Sequence, residues 1–295
     1  MTLEISAPPE RGATSTTFEL HAGALRLAVR PDLGGAVAGL WHGETPLLRS
    51  TEPARLESSR DSAMFPLLPY SNRLGYRRFR WRGHDFTTRA NVGGSPHSLH
   101  GLGWQRAWRL VSSSALEVVL ELVHVGDADW PFAFTARQYF GLGADAFSAR
   151  LQFTNDADGE QPVGLGFHPY FVRRLRSRLH VELSDRWEAD ATLLPTRKVA
   201  QPGIDSDLSH LDFDNCFEGW RGPARIRDER FSLQLSSSLP YLVVYTPPER
   251  DYFCVEPVSH VSNAVHMADP IAHGLVALAP GATQEAWMKL AVSVL

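Results

Sequence analysis

The chain predicts an all-β protein, a large antiparallel β-sandwich with few short helices, and three features of the sequence carry that expectation. Apolar and polar residues alternate in segment after segment, and clusters of Gly, Asp, Asn and Pro punctuate those segments. No window sustains an amphipathic helical period for more than about three turns. Period two marks a half-buried strand, because successive side chains leave a strand on opposite faces.

In chain order, Leu25, Leu27 and Val29 form the first alternating set, closed by the turn Asp32-Leu33-Gly34-Gly35. Tyr76 to Trp81 reads as a strand with Phe79 and Trp81 on a buried face and Arg78, Arg80 and Arg82 on a wet one. Leu116, Val118, Leu120 and Leu122 repeat the pattern, as do Phe147, Ala149, Leu151 and Phe153 before the turn cluster Asn155-Asp156-Ala157-Asp158-Gly159. Pro280-Gly281 marks a late turn. No Pro/Ser/Gly-rich linker divides the 295 residues, so one domain is expected over residues 16–295, after a flexible segment 1–15.

With 43% hydrophobic and 21% charged residues, the chain can bury a full core, which excludes disordered and collagen-like classes. The net charge of −4 argues against a nucleic-acid or anionic-membrane binder, which carries a basic excess. Cys216 and Cys254 are too few for a disulfide framework and are expected as free thiols. The opening MTLEISAPPERGATS lacks the basic and apolar regions of a signal peptide, and the chain is read as cytoplasmic. Its partner is expected to be a small molecule, the protein itself acting as monomer or homodimer. Neither a Gly-rich phosphate loop nor a G-x-S-x-G elbow occurs, which argues against ATP, nicotinamide and serine-hydrolase chemistry.

Candidate chemistry lies where polar groups interrupt apolar strands. Asn72-Arg73 follows the run Phe65 to Ser71; an amide beside a guanidinium supplies the donors and acceptors that hydroxyl groups need, although a polar turn would look the same. Ser95 to Trp104 contains His97 and His100, with Gly101 and Gly103 allowing close backbone approach. His168 stands inside the apolar stretch Gly164 to Phe171, where burial and a neighbouring carboxylate could tune it, or where it could simply be a satisfied core residue. Asp214 could be a cap or turn residue. Glu256 comes late in the apolar strand Tyr252 to Pro257, which is costly unless a pocket or partner solvates it, and it should share a strand face with Cys254. The run Arg173 to Arg178 could hold an anionic substituent on a substrate. Trp41, Trp104, Trp108 and Trp220 could offer a stacking face to a ligand or fill the core.

Taken in order, Asn72-Arg73, His100-Gly101, His168-Pro169-Tyr170, Asp214-Asn215-Cys216-Phe217 and Glu256-Pro257 resemble the aldose 1-epimerase (galactose mutarotase) family, and Gly274 to Gly281 resembles its closing strand and turn. The resemblance implies a supersandwich that interconverts α and β anomers of a free aldose without a cofactor or metal. It further implies Glu256 as general base on the anomeric hydroxyl and His168 as general acid on the ring oxygen, with Asn72, Arg73, His100, Tyr170 and Asp214 binding hydroxyls. Leu102-Gly103-Trp104 replaces the further glycine typical of galactose-specific members, which leaves the sugar open. The alternatives are an epimerase of an anionic sugar, such as a hexose 6-phosphate or sulfonated hexose, and a non-catalytic carbohydrate-binding protein. A metal enzyme built on His97, His100, His168 and Glu256 is a further competing reading.

Overall fold

The computed structural model describes residues 16–295, so the segment 1–15 lies outside the described residues. The first of two large antiparallel sheets has eleven strands. From one edge it runs through Phe18–Ala22, Leu25–Arg30, Ala36–His42, Met64–Leu67 and Gly166–Val172. It continues through Tyr252–Val258, Tyr241–Tyr245, Asp214–Glu218, Asp185–Ala189 and Pro195–Ala200, with Thr45–Pro46 paired to Ala36–His42. The second has nine strands, in the order Arg109–Ser113, Glu117–His124, Phe134–Leu142, Ala146–Asn155, Thr283–Val294, Phe231–Ser237, Arg221–Arg227, Arg178–Glu182 and Ile204–Asp207. Helical structure among the described residues is confined to six three-residue 3-10 turns, and no helix is long and apolar enough to cross a membrane.

The alternation in the sequence becomes the seam between the sheets. In Ala146–Asn155 the side chains of Phe147, Ala149, Leu151 and Phe153 are buried, and those between them are not. They join Leu27, Val29, Phe171, Phe217, Phe253 and Val255 in one apolar core. At roughly 25 cal/mol per Å² of apolar area, this seam is the main stabilising contribution. The central strands of the first sheet are covered on both faces: Met64–Leu67 is buried throughout, and in Gly166–Val172 and Tyr252–Val258 five and six of the seven residues are buried. Polar side chains on the face away from the seam are therefore exceptional.

Two local expectations differ from the structure. The strand expected from Tyr76 starts at Arg78, because Tyr76 and Arg77 take left-handed backbone angles (φ 52 and 59°) that break the extended run. Asp214 opens a strand and is neither a helix cap nor a turn residue. Cys216 and Cys254 are free, as expected, and buried, and the Tyr241–Tyr245 strand lies between theirs. Two inter-strand spacings of about 4.8 Å already exceed the roughly 7 Å Cα limit for a disulfide.

Candidate active site

Strand register delivers the central pair. Gly166 lies opposite Val258 and Tyr170 opposite Cys254, which brings His168 level with Glu256 on the neighbouring strand. Both side chains leave the sheet on the face away from the seam, since Phe167, Phe171, Phe253 and Val255 point into it. The His168 Nε2 and Glu256 Oε1 atoms are 3.4 Å apart. Beyond Glu256 the sheet continues through Val243, its cross-strand partner, to Cys216, and Asp214 follows two residues before on the same face. A second apolar cluster, which includes Phe65, Trp104, Cys216 and Val243, floors this region, with the Phe65 ring 4.5 Å from that of His168.

A wall of irregular backbone stands beside the pair. Arg73-Leu74 pairs with Ser98-Leu99, and the Asn72 carbonyl accepts from the His100 N–H at 2.8 Å. In return the Asn72 N–H donates to His100 Nδ1 at 3.1 Å. Asn72 and His100 both hold left-handed φ angles (55 and 61°), a strain of order 1 kcal/mol each that the reciprocal bonds offset. Gly101 follows at φ 66°, where a Cβ would sit 1.9 Å from the Leu68 carbonyl oxygen, so only glycine fits. Asn72 Oδ1 accepts from the Arg73 N–H, Arg73 Nη1 and Ser262 Oγ at 2.9, 3.0 and 3.0 Å, which orients its amide nitrogen as the remaining donor. Arg73 Nη2 reaches Asp214 Oδ2 at 3.4 Å.

The protonation states follow from burial. Because His100 Nδ1 accepts a backbone N–H, the neutral ring carries its proton on Nε2; burial, then Arg73 and Arg60, holds its pKa down to about 3. His100 is thus a neutral donor. Burial, with Asp214 adding and Arg73 opposing, pushes Glu256 well above the usual carboxylate range. Burial, then His100 and Arg49, pulls His168 well below the usual imidazole range. Both shifts disfavour charge, which favours a protonated carboxyl beside a neutral imidazole. His168 Nδ1 and Glu256 Oε2 have no hydrogen-bond partner among the described residues, although both are buried.

All seven residues singled out in the sequence (Asn72, Arg73, His100, His168, Tyr170, Asp214 and Glu256) line one cleft of about 370 Å³. Tyr170 stacks on His168 with ring centroids 4.5 Å apart, and the Arg49 guanidinium lies 3.7 Å over the Tyr170 ring. Arg60, Leu193, Tyr245 and Tyr252 also line the cleft and were not anticipated. For Tyr252 a signal existed, since it stands two and four residues before Cys254 and Glu256 on the same strand face. Ser262 and His260, which hold Asn72 and the Ser71 N–H from a distant loop, leave no mark in local sequence.

The metal reading fits poorly. His100, His168 and Glu256 could present ligand atoms within 4.8 Å of one another, but His97 is elsewhere, bonded to the Tyr76 N–H and the Thr192 carbonyl. His100 would have to surrender its Nδ1 bond to free a lone pair at Nε2. The arginine runs are engaged away from the cleft: Arg80 with Asp85, Arg82 with Glu160, Arg174 with Asp228, and Arg178 with Asp205 and Asp207. Trp41, Trp104 and Trp108 are buried, Trp220 packs on the seam, and none lines the cleft.

The sequence profile of the family described as aldose 1-epimerase matches residues 16–291. Over 294 residues the chain is 32% identical to the uncharacterized protein YphB of Escherichia coli K12, covering 94% of this chain and 99% of that one. A crystal structure from the same organism, named provisionally as an aldose 1-epimerase, superposes with a TM-score of 0.87 at 30% identity, over 96% of this chain and 100% of that one. The aldose epimerase homologue from C. elegans shares the fold at 19% identity, with a TM-score of 0.82 over 96% of this chain and 100% of that one.

Proposed function

Because the chain belongs to the aldose 1-epimerase family, we propose that it interconverts the α and β anomers of a free aldose, with Glu256 and His168 as its acid–base pair. The observation that carries this reading is the 3.4 Å contact between a carboxyl and an imidazole in a cleft of sugar size. Anomer exchange removes a proton from the C1 hydroxyl and delivers one to the ring oxygen. Those two oxygens are bonded to the same carbon, so acid and base must lie within a few ångströms of each other.

In the productive state the shared proton sits on His168 and Glu256 is the carboxylate, a rearrangement that leaves the pair's net charge unchanged. Glu256 takes the C1 hydroxyl proton as C1=O forms; the C1–O5 bond breaks, and its electron pair takes the proton from His168. The open aldehyde turns about C1–C2. Either face is then attacked by the O5 hydroxyl, whose proton returns to His168 while Glu256 protonates the carbonyl oxygen. Both residues end as they began, as a reversible isomerisation requires. His100 Nε2–H, the Asn72 amide and Arg73 supply donors to the sugar oxygens, and Asp214 supplies an acceptor. Only protons move, so the reaction calls for no redox or group-carrying cofactor.

Polarimetry on freshly dissolved aldoses tests the proposal. Wild-type protein is expected to accelerate equilibration, and Glu256→Gln and His168→Asn to lose about 10²- to 10⁴-fold of that rate each. No acceleration on any aldose, with binding retained, would identify a carbohydrate-binding protein instead. An anionic sugar is favoured by one feature: Arg60 lines the cleft, and no carboxylate among the described residues pairs with it. Anomer exchange followed by NMR on hexose phosphates and sulfonated hexoses, beside neutral hexoses, separates the two substrate classes.

A further inference from the structure

His97 belongs to the Ser95–Trp104 segment but not to the acid–base cluster, and it is almost fully buried. Its Nδ1 accepts the Tyr76 N–H at 2.9 Å, which leaves the ring proton on Nε2. That atom meets the Thr192 carbonyl at 3.1 Å. Thr192 lies in the connection between the Asp185–Ala189 and Pro195–Ala200 strands, the edge hairpin of the eleven-stranded sheet.

This hairpin tip is folded on its own Asp190 side chain. Asp190 Oδ1 accepts from the Thr192 N–H, Thr192 Oγ1 and the Leu194 N–H at 2.7, 2.7 and 3.1 Å, and the Asp190 N–H donates to the Leu194 carbonyl. Between them Leu193 is held at φ 65°, a left-handed conformation that a leucine adopts only where its surroundings impose it. Leu193 lines the cleft, as does Leu99 two residues beyond His97. The bond from His97 therefore joins two cleft walls that are about 95 residues apart in sequence.

We propose that His97 is a positioning residue that latches the hairpin tip across the cleft and sets Leu193 as an apolar wall against the C–H surface of the bound sugar. The latch acts on binding and leaves proton transfer alone, because His97 touches neither Glu256 nor His168. It rests on the mutarotase reading only for its kinetic consequence; the structural link can be tested without a substrate.

Two measurements on the full chain decide it. Hydrogen exchange in His97→Ala is expected to show faster exchange at residues 190–194 with protection of the Gly166–Val172 strand retained; unchanged exchange at the tip overturns the latch. With the aldose that wild-type protein turns over best, His97→Ala should raise KM roughly threefold to tenfold, as for one lost hydrogen bond, and keep kcat within about twofold. His97→Gln, which can still donate to Thr192 and accept from Tyr76, should restore most of the KM. A fall in kcat with KM unchanged, or no rescue by glutamine, overturns the positioning role. If no aldose is turned over by wild-type protein, the functional reading fails while the exchange experiment still judges the latch.

Discussion

A buried carboxyl and a buried imidazole 3.4 Å apart answer to pH as a pair, and the direction of each shift fixes the sense of the response. Falling pH adds a second proton only below the usual imidazole range, because burial has lowered His168. Rising pH removes the one proton only above the usual carboxylate range, because burial has raised Glu256. The active form carries one proton, so kcat/KM should follow a bell, with an acid limb below about pH 6.5 and an alkaline limb set by the carboxyl, above its usual range. Glu256→Gln leaves no carboxyl to titrate, and its residual rate should lose the alkaline limb. A pH–rate profile of anomer exchange for both proteins checks this, and an alkaline limb that survives in the variant would remove Glu256 from the pair.

Among the elements, strands were legible in sequence and loops were not, for a physical reason. Phe147 to Phe153 alternates because one face meets the other sheet, and that pattern is local. The same logic made Glu256 visible, since a carboxyl in an apolar strand must face something other than the seam. What makes Asn72 and His100 converge is non-local: left-handed angles, a reciprocal pair of bonds and a brace from Ser262, 190 residues away. Alternation likewise says nothing of Leu193, whose place depends on a hairpin tip reaching a different loop. Gly101 shows how tightly this wall is built. Gly101→Ala would add strain at φ 66° and force a Cβ against the Leu68 carbonyl oxygen, whereas Gly83→Ala adds strain alone, with φ 84° and open space around the new methyl. The second change should cost about 1 kcal/mol and the first clearly more, displacing His100 as well. Thermal unfolding of both variants, with anomer-exchange rates, tests the contrast; equal costs would mean that the backbone contact is relieved by a small shift.

For the molecule as a whole, stacking two sheets into one core while burying imidazoles in the loops beside them makes stability depend on keeping those rings neutral. Burial lowers His100 to about 3 and His260 to about 4, while the unfolded chain titrates near 6.5. A base whose pKa is depressed by folding binds its proton first in the unfolded state. Its effect is therefore absent above pH 6.5 and grows as pH falls towards the folded value. Between pH 6.5 and 4, His260 alone should remove about 3 kcal/mol, and His100 a similar amount. Glu256 works in the opposite sense: its raised pKa stabilises the fold at low pH, an effect complete below about 4.5 and lost as pH rises through the folded value. Two histidines outweigh one carboxyl, so stability should fall as pH drops below about 6.5. His260 is the cleaner probe because it lies outside the acid–base cluster, accepting from the Ser71 N–H and donating to the Val261 carbonyl. His260→Gln is expected to unfold at a lower temperature than wild type at pH 7, through its lost bonds, yet to lose less on going to pH 4. For a chain of this size the difference between the two proteins should narrow by roughly 5–10 °C over that interval. Calorimetric scans across the pH series would show it, and parallel curves for the two proteins would mean that His260 does not titrate on unfolding in this range.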